Sequence, residues 1–141
     1  MMVGKRIMVN TKDLSGVLLD YYVAQILGVK VSIINGECVY VGAVDTWAMP
    51  GSYKGILTGQ RFNPTTRHGI GGLIMDREGI STVKHLHTDQ WKAYYENGAS
   101  AWGPTRLVAA MRVFAVQHLV SEVPETTVNA EVVLQLGSVV K

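Results

Sequence analysis

An Asn35-Gly36 pair stands between two β-rich runs, residues 31–34 and 37–41. A two-residue type I′ connection needs positive φ at both central positions, and Asn followed by Gly meets that need at low steric cost. The chain therefore contains a β-hairpin, and the segments on either side must pack around it. On its N-terminal side, residues 5–10 read as a short strand. Thr11 or Asp13 can cap a helix that starts near Leu14, because their side-chain oxygens accept hydrogen bonds from the unpaired N–H groups of a first turn. Leu14, Leu18, Tyr21 or Tyr22 and Gln25 form one stripe, Leu19, Val23 and Ile26 widen it, and Gly28 ends the helix.

Beyond the hairpin, residues 43–79 hold Pro50, Pro64 and the glycines at 51, 55, 59, 69, 71 and 72, which predicts a long ordered loop with short pieces of structure. Residues 80–87 and 90–95 resemble a second hairpin turning at Thr88-Asp89, with Val83, Leu86 and Trp91 available for a core face. Asn97-Gly98 marks another turn. Residues 104–120 carry the strongest helical pattern, with Leu107, Met111, Phe114 and His118 on one stripe, Pro104 in its first turn and Pro124 beyond its end. Residues 125–141 form a C-terminal extension that reads equally as strand or helix.

The expected architecture is a small α+β single domain spanning residues 1–141, two main helices on two antiparallel hairpins with a long central loop. At 141 residues, 48% hydrophobic and 17% charged, the chain can bury one core and cannot be largely disordered. No apolar run reaches the roughly 18 residues of a membrane helix. The first residues lack the pattern of a secretory signal, and one cysteine, Cys38, precludes an intramolecular disulfide; both point to the cytoplasm. A net charge of +2 argues against a polybasic nucleic-acid binder, so any anion site depends on local placement.

Two such placements stand out. Gly103, Pro104, Thr105 and Arg106 open the last helix, where free N–H groups and the positive end of the helix dipole attract anions and a guanidinium can grip phosphate with two parallel bonds. An ordinary helix start with a surface arginine is the competing reading. Arg61, Asn63, Thr65, Thr66, Arg67 and His68 cluster within eight residues beside three glycines, a set able to bond phosphate, ribose hydroxyls or a base edge; a solvated turn-rich loop is its competitor. The loop is no Walker A motif and lacks GxGxxG spacing. Among the aromatic residues Trp47, Trp91, Trp102, Tyr53, Tyr94 and Tyr95, Trp102 is the best stacking candidate because it directly precedes the helix start. His85, His87 and Asp89 are too few for a metal site, and no cofactor is implied. Asp76 and Glu78 flank Arg77 and suit a solvated turn better than acid/base work.

Thr11 to Ala24, Phe62 to Thr66, Met75 to Ile80 and Gly103 to Arg112 follow one another as the ordered motifs of the phage NinX-like family, which the chain resembles over roughly residues 7 to 124. Tyr21 stands where that pattern commonly has Trp, and Arg106 fills a variable position often occupied by Pro. The resemblance implies a phage accessory protein acting in the host cytoplasm during infection. Phages encode small proteins that capture nucleotide-derived immune signals, among them cyclic ADP-ribose variants and cyclic dinucleotides. The expected function is accordingly to bind and sequester such a signal, without catalysis and as a homo-oligomer that encloses the ligand between subunits. In that scheme Gly103, Pro104, Thr105 and Arg106 hold phosphate, Arg61 or Arg67 neutralises a second one, and Asn63 and Thr66 contact ribose. Thr65 and His68 complete the loop cluster, Trp102 stacks the base and Arg112 serves a neighbouring group. The alternatives are an enzyme cleaving the signal through His68, Asp76 and Glu78, or a module that blocks a host protein.

Overall fold

The computed structural model describes residues 7–41 and 59–125 of the 141. The expectations for the start of the first strand, for Trp47 and Tyr53, and for the extension beyond residue 125 lie outside the described residues.

The chain opens with β1 (Met8–Asn10), followed by a single 3-10 turn at Thr11–Asp13 and then α1 (Gly16–Leu27). Thr11 does not cap α1. Its hydroxyl donates instead to the Val120 carbonyl and its backbone N–H to Ser121 at 2.8 Å, which buries it against the far end of the chain. Ser15, extended at φ −154°, becomes the residue before the helix. Gly28 ends α1 at φ +77°, as the pattern predicted. Leu14, Leu18, Leu19, Tyr22 and Val23 are buried as expected, whereas Gln25 is exposed and off the stripe.

Strands β2 (Val31–Ile34) and β3 (Glu37–Tyr40) pair antiparallel with Ile34 opposite Glu37. Asn35 and Gly36 take φ of +53° and +77°, both positive as a type I′ turn requires. On the other side of β3 the chain returns alongside it: Gly59 N–H donates to Tyr40, Tyr40 N–H to Gln60 and Phe62 N–H to Cys38.

The predicted loop ends in a helix. α2 (His68–Glu78) occupies its last stretch, a full helix where the glycine content predicted an ordered loop with short pieces of structure. Gly71 is needed for contact: a Cβ there would lie 2.3 Å from the Pro64 carbonyl oxygen and 2.8 Å from Leu107 Cδ2. Proximity overrides helix propensity at this point.

β4 (Ser81–Lys84), β5 (Trp91–Tyr94) and β6 (Ser100–Gly103) then form an antiparallel sheet in that order. The second hairpin is present, with a longer connection than expected and Asp89 at φ +59°; β6 was not foreseen. Thr82, Ala93 and Ala101 lie in one cross-strand row, and Val83, Lys92 and Trp102 in the next. Ala93 and Ala101 are buried, so their row faces the core and the other faces out. Val83 and Leu86 are therefore not core residues; they are 52% and 87% exposed.

α3 (Arg106–His118) covers the inner face of this sheet. It begins two residues later, and ends two residues earlier, than the pattern over 104–120 predicts. Thr105 is the N-cap, its hydroxyl accepting from Val108 N–H at 3.1 Å, and Pro104 precedes it instead of standing in the first turn. Small residues set the close fit, since a Cβ on Gly103 would be 2.7 Å from Ala109 N. Leu107, Met111 and Phe114 join Leu14, Leu19, Phe62 and Ile74 in one hydrophobic cluster. The chain then forms β7 (Glu122–Pro124), paired antiparallel with β1. The result is a small α+β domain of three helices and seven short strands among the described residues. None of these helices is long and apolar enough to cross a membrane.

Candidate functional site

The loop cluster is held from within the fold. Thr65 is buried, and its N–H and hydroxyl donate to the two carboxylate oxygens of Asp20 on α1 at 3.0 and 3.2 Å. Burial raises the Asp20 pKa from 3.8 to about 7, against the opposing pull of those two bonds. Arg61 pairs with Glu37 of β3 at 2.6 Å. Asn63 accepts at its carbonyl from the N–H groups of Thr66 and Arg67 and from the Thr66 hydroxyl, so this short run folds on itself. Arg67 and His68 are exposed where α2 begins.

At the start of α3 the predicted residues divide. Arg112 is half-buried and ties three elements together: its Nε donates to the Leu14 carbonyl at 2.7 Å and an Nη to the Trp102 carbonyl at 2.8 Å. Burial lowers its pKa, with Asp13 acting in the opposite direction. The Thr105 hydroxyl is engaged as a cap, and Gly103 is closed over by Ala109. Arg106 is exposed and donates from Nε to the Thr82 hydroxyl at 3.0 Å. Thr82 belongs to the row that faces α3, whereas Trp102 belongs to the row that faces out. The two residues expected to grip one ligand thus project from opposite sides of the sheet.

Trp102 itself is 45% exposed and has company that the sequence reading did not gather. Lys92 Nζ lies 6.0 Å from its ring, within cation–π range, and the His85 ring meets it edge-on with centroids 5.7 Å apart. Tyr94, 37% exposed, stands on the same face two residues along β5 from Lys92. Alternation along 81–85, 91–94 and 100–103 was the available signal, but it needed the unforeseen third strand to bring these residues into register. This face presents a planar ring, a second ring and an ammonium, and none of its strand residues (Ser81, Val83, Lys92, Tyr94, Ser100, Trp102) is acidic. Such a surface can stack flat π systems and attract anions.

The remaining candidates lie elsewhere. Glu78 accepts from the Tyr95 hydroxyl at 2.7 Å and approaches His118 Nε2 at 3.3 Å, joining the ends of α2, β5 and α3. Burial, then the bond to Glu78, pushes the Tyr95 pKa upward. Asp76 is exposed. His85 bonds Thr88 through Nδ1 at 3.1 Å and stacks edge-on with His87, and Lys84 pairs with Asp89 at 3.6 Å. Among the described residues no three His, Cys, Asp or Glu side chains are placed to hold a metal ion.

No curated protein matches the chain. The family described as Bacteriophage P22, NinX matches residues 10–118, from the end of β1 to the end of α3. That span carries Asp20, the 63–66 turn, Gly103, Thr105 and Arg112, which hold the elements together, and the chain belongs to the NinX family.

Proposed function

We propose that this protein is a phage accessory protein that binds and sequesters a nucleotide-derived signal of host antiphage immunity, a cyclic ADP-ribose-like molecule or a cyclic dinucleotide. The observation that carries the reading is Trp102, exposed on an open sheet face with Lys92 and His85 against its ring. A base stacked on the indole satisfies the apolar surface, while the Lys92 ammonium attracts the phosphate attached to it. Arg67, exposed just before α2, is a further cation of the loop cluster. Arg61, Thr65, Thr105 and Arg112 contribute by holding the backbone in shape, given the partners they already have.

An open face covers a flat ligand on one side only. Pairing of two copies would enclose the other side, which is the reason a homo-oligomer belongs to the proposal. Sequestration is preferred to cleavage because the Trp102 cluster contains no carboxylate.

The test is to purify the protein from cells challenged with phage, denature it by heat and analyse the supernatant by mass spectrometry. An intact nucleotide in near-stoichiometric amount, absent from Trp102→Ala protein of equal fold, supports the reading. A supernatant without nucleotide, together with no thermal shift across a nucleotide panel, refutes it.

A further inference from the structure

Resting on the nucleotide-binding reading above, we infer that His85 is a phosphate ligand of the same site, and that binding draws a proton onto its ring and so tightens as pH falls. The His85 N–H donates to the Gln90 carbonyl at 2.7 Å, which extends the β4–β5 ladder by one residue and places His85 on the outward face, two positions from Val83. Its exposed ring is held from two sides. Nδ1 is hydrogen-bonded to the Thr88 hydroxyl at 3.1 Å, and the ring stands at 72° to the Trp102 indole with centroids 5.7 Å apart. The Thr88 hydroxyl oxygen also accepts from the Gln90 N–H at 3.4 Å, so the turn fixes the oxygen that fixes the ring. With Nδ1 engaged by Thr88, Nε2 is the nitrogen left to meet a ligand.

The charges around this ring suit an anion. Lys84 and Asp89 pair with each other at 3.6 Å and largely cancel. That leaves Lys92, 6.0 Å from the same indole, and His87, whose ring meets that of His85 with centroids 6.0 Å apart. At the other end of the face, beyond Tyr94, the turn carries Glu96. A base stacked on Trp102 therefore directs its phosphate toward the β4–β5 turn, to Lys92 and His85. In the charged ring both nitrogens donate, Nδ1–H to Thr88 and Nε2–H to a phosphate oxygen. Histidine is the side chain whose charge ordinarily changes between pH 5 and 8, and an anion on Nε2 favours its charged form, so ligand and proton bind together.

The experiment is calorimetric titration of the full chain with cyclic di-AMP, 3′,5′-cyclic AMP and adenosine at pH 5.5, 6.5 and 8, on wild type, His85→Gln and His87→Gln. The two cyclic nucleotides are phosphodiesters of constant charge over this range, unlike a terminal phosphate, which loses its second proton near about pH 6. Both histidines are exposed, and circular dichroism at each pH confirms that the variants keep the fold. Asp20, whose pKa of about 7 falls in the same interval, is retained in both variants. Cyclic-nucleotide affinity about threefold or more higher at pH 5.5 than at pH 8, with adenosine weaker and insensitive to pH, and the dependence lost in His85→Gln but kept in His87→Gln, supports the inference. A flat wild-type profile, a dependence that survives in His85→Gln or disappears in His87→Gln, or equal affinity for adenosine overturns it and leaves the nucleotide-binding reading standing. No binding of any of the three at any pH overturns both.

Discussion

Asp20 and Thr65 are separated by 45 positions and joined twice, the carboxylate of one accepting from both the amide and the hydroxyl of the other. The pair fastens α1 to the turn that leads into α2, in a site too dry to welcome a full negative charge. Because the folded-state pKa rises from 3.8 to about 7, the folded form holds a proton that the unfolded chain releases in this interval. The contribution is complete below 3.8, falls as pH rises and is gone above about 7, with a slope of up to about 1.4 kcal/mol per pH unit. Asp20→Asn keeps an acceptor for the Thr65 amide and supplies a donor for its hydroxyl. Its melting temperature should therefore fall less between pH 4 and pH 8 than that of wild type. Parallel melting curves across that range would count against a protonated Asp20.

The contact between β6 and α3 predicts a severe effect from one methyl group. A Cβ at Gly103 would stand 2.7 Å from Ala109 N and 3.0 Å from Ala109 Cα, both backbone atoms that cannot rotate away. Gly103→Ala should cost about 1–3 kcal/mol or more in denaturant unfolding. Gly72→Ala, where nothing lies within 4 Å, should be stabilising or neutral, and serves as the control.

Replacing Arg112 by Lys tests whether charge or shape matters. The guanidinium reaches Leu14 and Trp102 carbonyls from two different nitrogens, a fork that an ammonium cannot reproduce. Arg112→Lys should lose about 1.5–3 kcal/mol, close to the loss in Arg112→Ala, by urea unfolding. Full retention of stability in the lysine variant would show that only the positive charge is needed.

Cys38 is buried on β3, and burial followed by the nearby Asp20 carboxylate pushes its pKa up to about 12. The reactive thiolate is thus scarce at neutral pH, and reagents have little access to it. An aromatic disulfide reagent at pH 8 should label the folded protein at least a hundredfold more slowly than the urea-unfolded chain. Comparable rates would place the thiol at the surface.

The elements that could be read in advance were those governed by local chemistry. Asn35-Gly36 gave away its hairpin because positive φ at two successive residues is a local demand, and the α3 stripe followed from helical spacing of Leu107, Met111 and Phe114. What escaped depended on partners distant in the chain. Gly69, Gly71 and Gly72 look like helix breakers until Pro64 and Leu107 are seen to press on Gly71. Val83 and Leu86 look like core until the register shows that the row of Ala93 and Ala101, and not that of Val83, faces α3. The candidate site shows the same division. Trp102 could be singled out beside a helix start, but Lys92, His85 and Tyr94 joined it only through the register of three strands, which also carried Arg106 to the other side.

The antiparallel pairing of Met8–Asn10 with Glu122–Pro124 closes the domain into a ring of chain. Ile7 and Glu125 lie side by side, the Glu125 N–H donating to the Ile7 carbonyl at 2.8 Å, so a short peptide joining these two positions allows new ends at the Asn97-Gly98 bend without parting any strand. Circular permutation is thereby built into the topology, and a sequence order unlike the natural one would encode the same molecule.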